Sequence, residues 1–167
     1  MSARTPFLLA VVCLLLTACG PQELLDNYYV DRWCDDAPCA WEVAGEIEQI
    51  GSWHPRDHAI SFETPGTAIS QWNDEIDDRV GCVEVSMLAR IEADAHLVFT
   101  FDYDDDGLIE NERELEPSES WAPRSFTTRL NAEFDGIRFT LRKEGNGVAE
   151  VAQLRALGEL DCARLPL

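Results

Sequence analysis

Residues 83 to 103 read V-E-V-S-M-L-A-R-I-E-A-D-A-H-L-V-F-T-F-D-Y, and apolar side chains stand at alternate positions through most of this stretch. One apolar face is formed by Val83, Val85, Met87, Ala89 and Ile91, and another by Leu97, Phe99, Phe101 and Tyr103. Successive side chains of a β-strand point to opposite sides, so this period of two predicts two strands that each bury one face. The centre of the chain is therefore expected to be β-structure.

The same alternation extends in both directions from this centre. It recurs in Trp41–Glu48, His58–Phe62, Thr67–Gln71, Phe126–Leu130, Ile137–Leu141 and Val148–Leu157, and more weakly in Leu108–Leu115. Turn signals such as T-P-G at 64–66 and G-N-G at 145–147 separate the runs. About eight to nine short strands of this kind predict an all-β, two-sheet antiparallel sandwich. A lipocalin-like barrel would need longer, evenly meandering strands.

Two stretches near the C-terminus add a resemblance to a known fold. Residues 121–130, W-A-P-R-S-F-T-T-R-L, and residues 135–157, D-G-I-R-F-T-L-R-K-E-G-N-G-V-A-E-V-A-Q-L-R-A-L, resemble the closing three strands of galactose-binding-like jelly rolls and carbohydrate-binding modules. The resemblance covers the strand rhythm of residues 40–157 and implies a jelly-roll sandwich that binds glycan. Such modules often carry an aspartate in the final strand, where this chain has A-E-V-A-Q-L at 149–154. This departure weakens any transfer of ligand residues.

The first twenty residues have the pattern of an export signal. Arg4 precedes an apolar run, residues 7–16, that is too short to span a bilayer. The run ends in L-T-A-C, residues 16–19, which resembles the lipobox of bacterial lipoproteins. That pattern implies removal of residues 1–18, diacylation of the Cys19 sulfur and, usually, acylation of its amino group, giving a stable palmitate-type anchor. An ordinary secretory signal cut nearby is the alternative. Gly20 is not the aspartate that holds many lipoproteins at the inner membrane, which favours the outer membrane.

The mature chain is expected to consist of a short connection and one domain. Residues 19–40 are predicted to be the lipidated N-terminus and a stalk. Apolar residues at helical intervals between Leu24 and Trp33 indicate a short helix, with an irregular tether as the alternative. Residues 41–167 are predicted to form the sandwich, because one domain is the natural count for this length.

Six cysteines fit an oxidising compartment. Cys13 leaves with the signal and Cys19 takes lipid, so Cys34, Cys39, Cys82 and Cys162 remain. Four cysteines allow three pairings. The turn-forming D-D-A-P insert favours Cys34 with Cys39, and hence Cys82 with Cys162. A zinc site is the weaker alternative, since no C-x-x-C pair is present and oxidation competes with thiolate ligation.

The formal net charge of -19 restricts the partners. Phosphate backbones are bound by lysine and arginine, so nucleic acid is not expected as a partner. A basic patch that docks on anionic lipid is equally excluded. The charge is interpreted as a soluble, solvated surface.

Three tryptophans are the candidate sugar contacts, because a flat aromatic ring stacks on the apolar face of a pyranose. They are Trp53, Trp72 and Trp121, each expected in a loop or at the end of a strand. Asn73 follows Trp72 in a polar loop and would contribute hydrogen bonds. The alternative is that each ring plugs an end of the core.

The chain is not expected to be an enzyme. His54 and His58 lie four residues apart, but the turn and strand signals around them give no helix on which they would converge. The sequence has no nucleophile elbow, H-E-x-x-H zinc motif or phosphate-cradling glycine loop. A glycosidase would need a specific pair of carboxylates, and among 32 acidic residues no pair stands out.

The stretch D-Y-D-D-D-G, residues 102–107, raises the question of a calcium loop. Asp102, Asp104 and Asp106 match the opening of an EF-hand loop, so a structural calcium is one hypothesis. Position twelve of such a loop would be Arg113, where a bidentate glutamate is needed. The alternative is an acidic hairpin turn at Asp106-Gly107.

The sequence thus predicts an outer-membrane-anchored lipoprotein that displays a non-catalytic β-sandwich. Binding of a glycan or envelope polymer is the leading hypothesis for its function. A structural or protein-interaction module of the cell envelope, without a small ligand, is the alternative.

Overall fold

The computed structural model describes residues 21–51, 58–130, 133–160 and 162, which contain thirteen β-strands and no α-helix. The strands are β1 (Gln22–Glu23), β2 (Trp33–Cys34), β3 (Ala37–Pro38), β4 (Glu42–Ala44), β5 (Ile47–Gly51), β6 (His58–Phe62), β7 (Ala68–Asn73), β8 (Cys82–Ile91), β9 (Ala95–Tyr103), β10 (Asn111–Leu115), β11 (Ser118–Arg129), β12 (Ile137–Gly145) and β13 (Ala149–Glu159). Within these residues no helix has the length and hydropathy needed to cross a membrane.

Two antiparallel sheets make a sandwich, as the alternating runs predict. The six-stranded sheet has the order β11-β8-β13-β6-β5, with β1 added on β13. The five-stranded sheet has the order β10-β9-β12-β7-β4. A separate two-stranded hairpin joins β2 to β3.

The alternating apolar residues of both sheets meet in one core. Phe99, Phe101 and Phe139 are fully buried, and Phe126 packs against them from the other sheet with its ring centroid 5.6 Å from that of Phe99. Burying one such side chain contributes about 1.5–3 kcal/mol. The core therefore lies where the period-two pattern places it.

The run Trp41–Glu48 is not one strand, contrary to the sequence prediction. The chain turns at Gly45, so β4 pairs with β7 in one sheet and β5 pairs with β6 in the other. Gly45 has φ +93°, and a Cβ atom there would lie 2.7 Å from Oγ1 of Thr67. Only glycine meets both conditions without strain, which explains why the strand breaks at this point.

Residues 21–40 differ most from the prediction of a stalk with a short helix. Leu24, Leu25 and Val30 are buried in the core between the sheets. The inward-facing side chains of Gln71 and Asn73 hydrogen-bond the backbone of this segment, with Asn73 Nδ2 donating to the Leu24 carbonyl at 2.8 Å. The segment is thus part of the domain, because it supplies both apolar side chains and the partners for two polar ones.

The last strand carries a β-bulge that the sequence pattern did not reveal. Ala152 pairs with Leu88 and Arg155 pairs with Ser86, so β13 has one extra residue over this interval. Gln153 has φ +53° in the bulge. The extra residue shifts the alternation, so that Leu154 points into the core and Arg155 points outward.

Both disulfides have the pairing that the sequence favours. Cys34 and Cys39 close the β2–β3 hairpin, with their Cα atoms 5.0 Å apart. Cys82 and Cys162 join the start of β8 to the residues after β13, with their Cα atoms 5.7 Å apart.

Lys143 is the only lysine of the chain, and it is buried. Its Nζ donates hydrogen bonds of 2.8 Å to the carbonyls of Glu63 and Gly145. Burial lowers the pKa of the Lys143 ammonium group. The ammonium ties the β6–β7 turn to the β12–β13 turn at one end of the sandwich.

Candidate functional site

The outer face of the five-stranded sheet carries an aromatic side chain beside a set of polar ones. On β7, Ile69 and Gln71 are buried while Ala68, Ser70 and Trp72 are partly exposed, which assigns the latter three to the outer face. The strand registers extend this face to Glu42 and Ala44 on β4, Arg138, Thr140, Arg142 and Glu144 on β12, His96, Val98, Thr100 and Asp102 on β9, and Glu112 and Glu114 on β10.

Trp72 packs closely against the backbone of the neighbouring chain segment at Gly136. It is half-buried at the end of β7, and a Cβ atom on Gly136 would lie only 2.3 Å from its indole ring. Contact this close requires glycine at position 136, since any other residue would displace the ring. The indole ring therefore has a defined position at one end of the outer face.

Arg138 lies next to Trp72 in the sheet and is fixed by two carboxylates. Its Nη2 donates to Asp105 at 2.8 Å, its Nε donates to the second oxygen of the same carboxylate, and its Nη1 donates to Glu42 at 2.8 Å. The hydrogen bonds from Arg138 lower the pKa of the Asp105 carboxyl group, and Asp105 in turn raises the pKa of the Arg138 guanidinium. The pair therefore stays charged at neutral pH.

Three hydroxyl groups form a row across the middle of this face. Ser70 pairs with Thr140, and Thr140 pairs with Thr100 on the next strand. Glu42 and Glu112 stand at the two ends of the row. Thr100 is buried, whereas Ser70 and Thr140 are partly exposed, so these two hydroxyls can both donate hydrogen bonds to a polar ligand and accept them from it.

The far half of the face carries an ion pair and a histidine–carboxylate contact. Arg142 bonds Glu144 at 2.7 Å, and His96 Nδ1 lies 2.7 Å from Glu114. Glu144 is also the cross-strand neighbour of His96. Both arginines of this face are thus paired with carboxylates, and the further carboxylates of Asp102, Glu112 and Glu114 make the face acidic rather than basic.

A groove of about 340 Å³ begins at Trp72 and follows the edge of β7. It is lined by Gln71, Trp72, Asn73, Asp74 and Glu75 on one side and by Gln22, Glu23, Leu24 and Asp26 on the other. Asn73 does not offer a free amide here. Its Nδ2 donates to Leu24 and its Oδ1 accepts from the Glu75 N–H group at 2.7 Å, so its role is to hold the N-terminal segment.

Trp121 does not join Trp72. It lies within β11, not in a loop, at the irregular stretch between Ser118 and Ala122 on the edge of the six-stranded sheet. Trp53 and the predicted lipidation site Cys19 lie outside the described residues. Of the two candidate tryptophans that the structure describes, Trp72 is therefore the one on the polar outer face of the five-stranded sheet.

The acidic stretch 102–107 forms the turn of the β9–β10 hairpin. Asp102 accepts the N–H groups of Asp106 and Gly107, and burial raises the pKa of its carboxyl group. Asp104 accepts the N–H group of Asp135 at 2.5 Å, and Asp106 accepts that of Leu108 at 2.9 Å.

These carboxylates do not converge on one point as the EF-hand spacing predicts. Each of them serves a different hydrogen bond, and Asp105 pairs with Arg138. In the part of the chain that the structure describes, no three His, Cys, Asp or Glu side chains are grouped to hold a metal ion. The residues therefore do not fit a calcium ion in this arrangement.

The polar residues beside Trp72 were not identified from the sequence. Their signal is present in I-R-F-T-L-R, residues 137–142, where Arg138, Thr140 and Arg142 alternate with core residues. Alternation of this kind marks an outer face, but it does not tell which neighbouring strands complete it. The order of strands in the sheet supplies that information.

The chain resembles known proteins in structure but not in sequence. No family model matches it, and no curated protein matches it. Solved structures of carbohydrate-binding modules match its fold. TmCBM61 in complex with β-1,4-galactotriose has a TM-score of 0.61 and 18% identity, covering 83% of this chain and 99% of that chain.

Two further modules match over a similar extent. The CBM22-1 xylan-binding domain of Xyn10C from Paenibacillus barcinonensis has a TM-score of 0.60 and 12% identity, covering 84% of this chain and 97% of that chain. A CBM4 structure has a TM-score of 0.58 and 10% identity, covering 80% of this chain and 99% of that chain. These likenesses show that the sandwich has the jelly-roll fold of such modules.

Proposed function

We propose that the sandwich binds a glycan or a related envelope polymer, without catalysis, on the outer face of its five-stranded sheet. The observation that carries this proposal is the partly exposed indole of Trp72, packed against Gly136 beside Arg138 and Ser70. An aromatic ring next to fixed hydrogen-bond donors and acceptors is what a pyranose needs, since its ring face is apolar and its rim carries hydroxyls.

The pairing of both arginines of this face with carboxylates supports an uncharged ligand rich in hydroxyl groups. Arg138 is bound by Asp105 and Glu42, so it orders these carboxylates without adding a net positive field. The solved modules of the same fold include one in complex with β-1,4-galactotriose and a xylan-binding domain. Neutral polysaccharides of these kinds are the first ligands to test.

We infer from the L-T-A-C sequence that the domain is exported and anchored in the cell envelope through acylated Cys19, with the outer membrane as the favoured site. Two or three acyl chains give stable attachment, whereas one chain binds only marginally. The sandwich would then hold its polymer close to the membrane that carries the anchor.

A structural or protein-interaction module of the envelope is the second candidate function. It is favoured by Leu108 and Ile109 at the tip of the β9–β10 hairpin, whose side chains are 64% and 50% exposed. Exposed apolar side chains at a loop tip are suited to contact with another protein.

A glycan array probed with the full chain carrying Cys19→Ser tests the proposal. Binding by this chain should be lost when Trp72→Ala is added. It should be retained when Trp121→Ala is added, because that change removes an indole ring from the other sheet. Equal binding by both variants would contradict the assignment of the site. Failure to bind any glycan, together with recovery of one envelope protein in pull-downs, would favour the second candidate function.

A further inference from the structure

Tyr29 is the only exposed aromatic side chain in the described residues, with 45% of its surface accessible. It stands beside Tyr28 in the turn that follows β1, with the two ring centroids 4.4 Å apart. Tyr28 packs against the hydrophobic core. The partly buried ring of Tyr28 therefore supports the exposed ring of Tyr29.

A fixed arginine adjoins this pair of rings. The guanidinium of Arg155 lies 5.2 Å from the centroid of Tyr28. Its Nε donates to Glu23 at 2.9 Å, and Glu23 also accepts the N–H group of Ala156. Glu23 holds Arg155 in place while 41% of the Arg155 side chain remains accessible.

The β-bulge at Gln153 is what brings Arg155 to this surface. In a regular strand the alternation of Ala149 and Val151 would turn position 155 into the core. The extra residue places Leu154 in the core instead and Arg155 outside. Bulges that re-aim side chains are enriched next to binding sites, and Gln153 adopts φ +53° to make this one.

Glu23 also connects these residues with the Trp72 site. It lines the groove of about 340 Å³ that begins at Trp72, and it holds Arg155. Trp72 faces outward from the five-stranded sheet and Arg155 from the six-stranded sheet, so Glu23 lies at the edge of the sandwich between them. We name Tyr28, Tyr29, Glu23 and Arg155 the tyrosine patch.

We propose that the tyrosine patch binds a further sugar unit of the same glycan chain that Trp72 binds, so that the site takes an oligosaccharide that crosses the edge of the sandwich from the five-stranded sheet to the six-stranded sheet. This inference rests on the proposed function. Tyr29 supplies the stacking surface, Arg155 donates to hydroxyl oxygens, and Glu23 accepts from hydroxyl groups. Because Arg155 and Glu23 neutralise each other, the patch suits an uncharged sugar.

The test compares short and long members of each glycan series on the same array. The probes are disaccharides and hexasaccharides of β-1,4-linked galactose and xylose, together with the other series that the array carries. The wild-type chain should bind the hexasaccharide more tightly than the disaccharide. Tyr29→Ala should weaken hexasaccharide binding by about two- to tenfold and leave disaccharide binding unchanged. Tyr29→Phe keeps the ring and should behave as wild type.

The outcomes separate this inference from the function on which it rests. Trp72→Ala should weaken both probes, since it removes the contact they share. Unchanged hexasaccharide binding in Tyr29→Ala would overturn the inference while the Trp72 site stands. A calorimetric titration that finds two hexasaccharides bound per chain would also overturn it, because the patch would then be a separate site. The absence of binding to every glycan would overturn the proposed function and this inference together. Thermal melting of each variant confirms that it is folded.

Discussion

Two residues, Gly136 and Arg138, determine the geometry of the candidate site. Gly136 has no side chain, and the Trp72 indole occupies the space that a Cβ atom would take. Arg138 is fixed because Asp105 and Glu42 bind it from two sides. Neither residue belongs to the apolar pattern that defines the strands, so each can be altered without emptying the core.

Replacement of Gly136 by alanine should displace Trp72. The added methyl group would lie 2.3 Å from the indole, so we expect a loss of about 1–3 kcal/mol in the free energy of unfolding and weaker glycan binding. Denaturant unfolding followed by tryptophan fluorescence measures the first effect. Gly51→Ala is the matched control, because nothing lies within 4 Å of a Cβ atom at that glycine. Equal losses in the two variants would contradict the role of Gly136.

The Asp105–Arg138 pair should make stability depend on pH in the acid range. The pKa of Asp105 is lowered from its ordinary value of 3.8, so its contribution is complete above that value and is lost as pH falls through the lower pKa of the folded state. After allowance for solvent screening, the pair is expected to contribute about 0.2–1 kcal/mol. Asp105→Asn should therefore be less stable than wild type at neutral pH, with a difference that shrinks on acidification. A constant difference across the range would argue against the pair.

Some elements of the fold could be predicted from the sequence and others could not. The strands that follow a strict period of two, β8, β9 and β12, were predicted because each buries one complete face. The N-terminal segment was missed because its buried residues, Leu24, Leu25 and Val30, follow neither a strand nor a helix period. The bulge at Gln153 and the break at Gly45 escaped detection because one residue in each case alters the path of the chain without altering its composition.

The N-terminal segment should be essential to the fold. A chain that begins at residue 34 lacks Leu24, Leu25 and Val30, each of which contributes about 1.5–3 kcal/mol when buried. Together these losses are comparable with the whole stability of a typical domain. We expect this chain to unfold without a cooperative transition in calorimetry, while a chain that begins at Gly20 melts cooperatively. Matching transitions in the two chains would make the segment dispensable.

The β9–β10 hairpin should be indifferent to calcium. Its carboxylates accept backbone N–H groups and bind Arg138, so a calcium ion would have to displace these partners. Millimolar calcium is therefore expected to leave the melting temperature unchanged. A rise that a chelator reverses, and that Asp104→Asn with Asp106→Asn abolishes, would show that the hairpin rearranges around the ion.

At the scale of the whole molecule, the N-terminal segment determines how the sandwich would sit on its anchor. The segment folds into the domain, so only Gly20 and Pro21 separate Cys19 from β1. Three steps along the chain span at most about 11 Å. The end of the sandwich where β1 begins also carries the turns 74–81 and 104–110. If Cys19 is acylated as proposed, this end faces the bilayer at short range.

Amine labelling can test this orientation, because the chain's only lysine, Lys143, is buried. Glu75→Lys places an amine at the β1 end, and Asn146→Lys places one at the opposite end. In vesicles that carry the acylated protein, a bulky amine-reactive dextran should label position 146 readily and position 75 slowly. The same variants with Cys19→Ser should leave the membrane fraction and label equally. Equal labelling in the acylated protein would contradict the orientation, and retention of the Cys19→Ser protein would contradict the anchor.

The pairing of β1 with β13 also sets the path of mechanical load. Gln22 pairs with Gly158 and Glu23 with Leu157, and β13 is itself hydrogen-bonded to β8 and β6. A pull on the residues before Gln22 runs along the axis of β1, so the hydrogen bonds to β13 are sheared together instead of being unzipped one after another. The tension then enters an interior strand of the sheet and spreads to both of its neighbours. If a polymer bound to the outer face of the five-stranded sheet pulls on the anchored domain, the force would thus be carried by the middle of the six-stranded sheet.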